Sequence, residues 1–310
     1  MIHIAPTAHS VLPAILTRNG ALPARHPRDG EAIERGVIYV APPDRHLMIE
    51  RGCVRLVRGP SENGTRPAVD PLFRSAASAY GPRVVGVVLS GNLDDGTAGL
   101  AAIKRSNGLA IVQSPDEAPF PGMPLSAIEH VDVDQILPLG GIAGAIIAAT
   151  NDPVEEDAPC RDASLLRREV QMVEFDEYVL AAGDHPPEPP GQPSGFTCPD
   201  CHGALWEIED GGLVRYRCRV GHAFSPETLV AMDSADVEEA LWVAYRALEE
   251  SAALARRMEA RARRHEHAYS AERFASHATE LEQRASVLRN VLANAVPLTA
   301  AKSESFLGPE

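Results

Sequence analysis

The sequence predicts an α/β protein with a doubly wound, mostly parallel sheet, followed by a small Cys-bearing ribbon and an α-helical hairpin. Three observations lead there. Apolar β-branched runs alternate with helix-compatible stretches over the first 150 residues. Cys and His recur at metal-ligand spacing between Cys198 and His222. Two late apolar series step by three, four or seven residues, the spacing of a helical seam.

Within residues 1–150, strands are expected at Val37–Ala41, Val84–Ser90, Leu109–Gln113 and Gln135–Leu139. Helices are expected at Val69–Ala79, Thr97–Arg105 and Leu125–His130. Continuous apolar strands alternating with helices describe a parallel sheet covered on both faces. Leu47–Arg58 is the exception, since two short strands around Arg51-Gly52 make a hairpin. In a doubly wound sheet, chemistry gathers beyond the carboxyl ends of the strands. That points to Ser90-Gly-Asn-Leu-Asp-Asp-Gly96 and to the start of the chain at His3. From spacing alone, Asp94 or Asp95 either caps the helix starting near Thr97 or orients a catalytic histidine. Magnesium binding is a third option, but no phosphate-cradling loop supports it.

Residues 151–195 carry a net charge of −8 and seven prolines, which predicts an acidic, extended linker. Inside it, Leu165, Leu166 and Val170 mark a short helix over Asp162–Val173. Residues 196–230 hold Cys198-Pro-Asp-Cys201, a gap of sixteen residues, then Cys218-Arg-Val-Gly-His222. Two such knuckles can share one tetrahedral zinc, and Asp210-Gly-Gly212 supplies the hairpin between them. Cys198, Cys201, Cys218 and His222 thus predict a zinc ribbon with one structural zinc and no open coordination position. His202 is a rival ligand, poorly placed beside Cys201. Cys53 and Cys160 have no partners at metal spacing and read as ordinary thiols.

Ser225-Pro-Glu227 is a helix start, with Ser as N-cap and Pro in the first turn. Residues 231–295 follow as a helical hairpin. Its seam runs through Leu241, Ala244, Leu248, Ala255 and Met258, then Phe274, Ala278, Leu281, Ala285, Leu288 and Leu292, with a break around Arg264–Ser270. The seam closes on itself and the ribbon or serves a partner, and both readings stand at this point. The cluster Arg256-Arg257 to Arg264 reads as a solvated face, and residues 296–310 as a disordered tail.

Composition narrows the function. Twenty-nine basic against 43 acidic residues give −14, which argues against nucleic-acid binding through phosphate neutralisation. No apolar run approaches the ~20 residues of a membrane helix, and Met1-Ile-His-Ile-Ala-Pro6 has no basic n-region of a signal peptide. Five cysteines with a metal-type pattern suit the reducing cytoplasm, with no membrane insertion.

Four motifs then occur in a familiar order: Gly36-Val-Ile-Tyr-Val-Ala-Pro-Pro-Asp44-Arg-His46, Arg66-Pro-Ala-Val-Asp70-Pro-Leu-Phe73, Leu89-Ser-Gly-Asn-Leu-Asp-Asp-Gly96 and Gly122-Met-Pro124. Over about residues 1–148 the chain resembles the catalytic domain of chemotaxis-type protein-glutamate methylesterases. The resemblance implies a serine hydrolase on a Rossmann-like sheet, hydrolysing glutamate methyl esters on methyl-accepting chemotaxis receptors without a catalytic cofactor. It puts the catalytic histidine at His3, the catalytic aspartate at Asp95, and the backbone oxyanion donor at Asn92, where methionine is usual. The family's nucleophile sits in a Gly-x-Ser-x-Gly-like turn ahead of the histidine, and this sequence contains none. Gly59-Pro-Ser61-Glu-Asn63 is a near miss, and Ser10 falls on an expected helix.

Two accounts follow. Either the start codon is internal and an upstream strand carries the serine turn, or a truncated copy persists as a ribbon-and-helix adaptor without activity. The first is favoured physically, because losing a central parallel strand bares two sheet edges. The ribbon and hairpin resemble the C-terminal extension of some such methylesterases. Their helices would meet a chemotaxis methyltransferase or another signalling protein.

Overall fold

The computed structural model describes residues 10–154, 163–174 and 191–294. His3, Cys160 and the expected tail lie outside them. Helix α1 (Leu12–Asn19) has Pro13 in its first turn, where a missing N–H costs nothing, and stops at Gly20. Ser10 precedes this helix rather than lying on it. Strand β1 (Ala24–Arg25) pairs in parallel with β3 (Ile38–Tyr39). Between them, β2 (Glu31–Ala32) joins β4 (His46–Glu50) and β5 (Cys53–Val57) in a sheet of order β2-β5-β4. The expected hairpin is β4–β5, with Glu50 opposite Cys53. The run Val37–Ala41, expected in the main sheet, is not there. Pro42 and Pro43 directly after it lack ladder donors, and β3 pairs with β1 only.

The main sheet is parallel, in the order β6 (Val85–Val88), β7 (Leu109–Gln113), β8 (Gln135–Leu137). Ahead of it comes α2 (Val69–Tyr80), and between its strands lie α3 (Thr97–Arg105) and α4 (Gly122–His130). Helix α5 (Leu139–Asn151) follows. Central β7 reads as an unbroken apolar run because Ala110, Ile111 and Val112 are all fully buried. Leu100 and Ile103 of α3 pack with Val88, Met123 and Ala127 in one core cluster that also takes in Val69 and Ala77 of α2. Gly99 makes the α2–α3 crossing close: a Cβ there would lie 2.6 Å from that of Phe73.

The segment expected as a solvated linker contains α6 (Ala163–Glu174), whose Leu166, Glu169, Met172 and Val173 are buried. This is the short helix expected over Asp162–Val173, and its apolar stripe with a buried Glu packs it rather than leaving it an extended tether. Beyond it, β9 (Gln192–Thr197), β10 (Ala204–Asp210), β11 (Leu213–Cys218) and β12 (Ala223–Phe224) form an antiparallel sheet of order β12-β11-β10-β9. Gly211 and Gly212 both take positive φ, 61° and 93°, in the two-residue turn joining β10 to β11.

Helices α7 (Pro226–Arg264) and α8 (Ala268–Asn294) close the chain, with the break where expected. Ser225 caps α7, its hydroxyl accepting the Thr228 N–H at 3.0 Å. The chain divides into two compact units, Met1–Leu229 and Val230–Glu310. The β9–β12 sheet lies within the first of these units. In the second unit α7 and α8 run antiparallel, tied by Arg256 to Glu282 at 2.7 Å and Arg289 to Glu249 at 3.0 Å. Ala252, Ala255 and Ala262 of α7 are buried, as are Ala271, Ala278, Leu281 and Ala285 of α8. Ala244 and Met258, expected in this seam, are exposed because they lie on the adjoining stripe of α7. Among the described residues, no helix is long and apolar enough to cross a membrane.

Candidate active site and metal centre

At the carboxyl end of β6 the chain turns through Ser90–Gly96 into α3. The turn is pinned from both sides: Gly91 donates to the Phe120 carbonyl at 2.8 Å, and Met123 donates back to the Gly91 carbonyl at 2.8 Å. Gly91 has no room for a side chain, since a Cβ would sit 2.0 Å from the Met123 sulfur. Leu93 (φ 59°) and Gly96 (φ 97°) take left-handed conformations, and the result turns Asp94 and Asp95 inward while Asn92 stays exposed. Among the described residues, no acceptor takes the Asn92 N–H.

Neither aspartate side chain caps α3, whose N-cap is Gly96. Asp95 instead caps α2 from across the fold. Its Oδ2 accepts the Val69 N–H at 2.7 Å and its Oδ1 accepts the Asp70 N–H at 3.2 Å. Asp94 accepts the Thr228 hydroxyl at 2.9 Å. Asp70 accepts the Gly99 N–H at 2.6 Å, and the Asn63 amide reaches both Asp70 (3.2 Å) and Asp95 (3.5 Å).

Burial raises the pKa of all three aspartates. For Asp95 the Asp70 charge raises it further. Asp70 is pushed up to about 6 by burial, which outweighs Arg74. A carboxyl whose folded pKa is raised favours the fold below its unfolded value of 3.8 and loses that contribution as pH rises through about 6. We expect the carboxyl 13C resonance of Asp70 to titrate near pH 6. A midpoint below 4 would contradict the buried pairing.

Beside these aspartates lies a buried network of charges. Glu62 accepts Arg74 through both oxygens and Arg217 at 2.9 Å. Glu169 of α6 takes Arg215 in a two-pronged pair, and Asp210 bridges Arg215 (3.0 Å) and Arg105 (2.7 Å). Charges from the loop before α2, from α2, α3, α6 and from the β10–β11 hairpin thus meet out of water. A cavity of about 220 Å³ beside it is lined by Asp70, Arg74, Asp94, His130, Arg215 and Glu227 among others. Nothing in local patterning marks Glu62, Arg74, Glu169, Arg215 or Arg217 as partners, so sequence reasoning missed them. It also missed His46, fully buried between the Pro60 carbonyl and the Ala68 N–H, where burial holds its pKa down to about 4.

The near-miss turn proves structural. Ser61 donates to the Asp200 carboxylate, and Asn63 accepts the Ser225 N–H at 3.1 Å. Among the described residues, no imidazole bonds Ser61.

The four predicted metal ligands do converge. Donor atoms of Cys198, Cys201, Cys218 and His222 all lie within 4.8 Å of one another. Sγ of Cys201 and Cys218 are 3.7 Å apart, while Nδ1 of His222 is 3.7 Å from Cys198 and 3.5 Å from Cys218. A tetrahedral zinc with Zn–S about 2.3 Å and Zn–N about 2.0 Å requires separations of about 3.8 and about 3.5 Å. The donors therefore fit that ion. The knuckles come from tight turns, in which His202 donates to the Cys198 carbonyl at 2.8 Å and Gly221 to the Cys218 carbonyl at 3.0 Å. His202 is exposed at φ 58° and is not among the converging donors. Asp200 lies 4.0 Å from Nε2 of His222, the outer position of a carboxylate behind a ligating imidazole.

Comparison with known proteins bears on one part of the chain. Residues 1–146 match a family model described as CheB methylesterase. The chain is 38% identical over 153 residues to protein-glutamate methylesterase/protein-glutamine glutaminase 1 of Rhodospirillum rubrum, covering 48% of this chain and 40% of that protein. It is 41% identical over 127 residues to a putative protein-glutamate methylesterase/protein-glutamine glutaminase of Leptospira interrogans, covering 41% of this chain and 66% of that protein. Among solved structures, the Thermotoga maritima CheB methylesterase catalytic domain is 32% identical, with a TM-score of 0.45, over 47% of this chain and 79% of that one.

Proposed function

Residues 1–146 are a CheB methylesterase domain, and from that premise we propose that the chain works as a protein-glutamate methylesterase of a chemotaxis-like signalling system. The observation that carries the reading is the Ser90–Gly96 turn, with an open backbone donor at Asn92 three residues before the buried Asp95. In the proposed chemistry a serine hydroxyl attacks the glutamyl ester carbonyl while His3 takes its proton. Asp95 holds the tautomer of His3. The Asn92 N–H donates to the tetrahedral oxyanion. Collapse expels methanol with the proton from His3, and water then hydrolyses the acyl-enzyme by the same route. The names of the relatives pair this activity with a protein-glutamine glutaminase. An amide follows the same path with ammonia as the leaving group.

The serine is not in a recognisable nucleophile turn anywhere in these 310 residues. A second reading is therefore a non-catalytic adaptor. It is favoured by Asp94 and Asp95 serving as structural acceptors for Thr228 and for α2. Cys198, Cys201, Cys218 and His222 hold one structural zinc in either case, and the proposed setting is the cytoplasm beside methyl-accepting receptors.

Methanol release from methylated receptor separates the readings. The 310-residue chain is expected to show background turnover only. The same chain preceded by in-frame upstream sequence bearing Gly-x-Ser-x-Gly should release methanol, and His3→Ala should abolish this with the fold intact. No release from that extended protein would leave the adaptor reading standing. Robust release by the 310 residues alone would show that the nucleophile lies elsewhere in them.

A further inference from the structure

Within the unit Val230–Glu310, α7 presents two apolar stripes, and α8 covers one of them. The covered stripe includes Leu241, Leu248, Ala252, Ala255 and Ala262. The other includes Val237, Ala240, Ala244, Ala247, Leu254 and Met258, at coiled-coil steps, and every one is exposed. Val237 is 59% and Leu254 61% exposed. A single exposed apolar residue needs no explanation, but a stripe along several turns, interrupted only by Ser251, does.

Charge along the same helix identifies what covers it. Asp233, Asp236, Glu238 and Glu239 crowd one end with no cation among them. Arg256, Arg257, Arg261, Arg263 and Arg264 crowd the other against a single Glu259. The helix dipole accounts for arginines in the last turn, but it fades within the first turn at the other end. Asp233 already lies seven residues beyond Pro226. Among the described residues, no ion pair involves Asp233, Asp236, Glu239, Arg257, Arg261 or Arg264. A helix acidic at one end and basic at the other complements a second copy of itself laid antiparallel. A two-fold axis at Ala247 sets Ala240 against Leu254, seven residues either side, and Asp233 against Arg261, fourteen either side. The alanines at the centre permit the close interaxial distance of about 8 Å. Parallel pairing would set acid against acid.

We propose that this chain self-associates through α7, two copies pairing antiparallel along Val237–Met258 about an axis at Ala247. The inference stands apart from the methylesterase reading, because it uses only the second unit.

Sedimentation equilibrium of the full chain should give twice the 33.2 kDa chain mass, weakening with salt as the end charges are screened. Ala247→Glu should yield monomer with an unchanged helical circular-dichroism signal. Ala247→Cys should cross-link to itself on oxidation, seen by mass spectrometry of the linked peptide, whereas Asp233→Cys should not. Asp233→Arg should weaken the dimer several-fold, and adding Arg261→Asp should restore it. A monomer at every concentration, a dimer indifferent to Ala247→Glu, or self-cross-linking at Asp233→Cys would each overturn the proposal. Recovery of the stripe bound to a different protein while the pure chain stays monomeric would do so as well.

Discussion

Cys201→Ser, or removal of divalent metal by a chelator, is expected to cost the chain its one equivalent of zinc and to unfold the β9–β12 sheet. The effect should be large. Apparent binding free energies for structural zinc are about 10–16 kcal/mol, and in small domains that energy is folding energy. The sheet spans about 30 residues, a size that buries too little surface to stand alone. It does not stand alone here. Arg215 and Arg217 of β11 reach into the charge network of the α/β part, and Thr228 bonds Asp94 just after β12. Loss of metal should therefore spread. Protease should cut first within residues 192–224, and the melting temperature of the whole first unit should fall with the zinc content. Unchanged zinc stoichiometry and unchanged protease resistance in Cys201→Ser would show that the four donors hold no metal.

What was legible in the sequence was what local chemistry dictates. Thr97–Arg105 and Leu109–Gln113 match their predicted bounds because period and burial coincide there. Cys198, Cys201, Cys218 and His222 converge as their spacing required, because a tetrahedral ion admits few arrangements of two knuckles. What failed depended on partners far along the chain. From spacing alone Asp95 read either as a cap for α3 or as the orienter of a histidine, yet its side chain caps α2, whose Val69 lies 26 residues back. Glu62 and Arg217 are 155 residues apart and each reads as a surface charge. Glu169 sat in a stretch whose net charge predicted solvent; its neighbours Leu166, Met172 and Val173 were the better guide. Ala244 and Met258 have the spacing of a seam, but spacing cannot say which of two neighbouring stripes α8 covers. In the candidate active-site region, the turn Ser90–Gly96 was legible from its glycines and acids. The cover over Asp94 by Thr228 was not, since it joins residues 134 apart.

Glu62→Ala should be the most damaging single change in the first unit. Glu62 is 1% exposed, and it neutralises Arg74 and Arg217, themselves 2% and 0% exposed. Arg74 has no other anionic partner among the described ion pairs. Removing one member of a buried pair leaves the other charge out of water and unpaired, which costs about 3–5 kcal/mol. Converting the Glu62–Arg74 pair to apolar groups costs far less, and Arg217 keeps Glu169 at 3.5 Å, so a Glu62→Leu, Arg74→Met double variant should recover much of the loss. The pH dependence carries the same sign. Burial works against the Glu62 charge, yet Arg217 and Arg74 outweigh it and hold the carboxyl down to about 2 from 4.5. A lowered pKa contributes stability that is full above 4.5 and disappears as the pH falls towards 2. The difference amounts to about 3 kcal/mol at neutral pH. Urea unfolding should accordingly show a wild-type midpoint that falls steeply with acid in that window. The Glu62→Ala midpoint should start lower and fall less. Parallel curves for the two proteins would place the acid sensitivity in other carboxylates and deny Glu62 its role in joining the β10–β11 hairpin to α2.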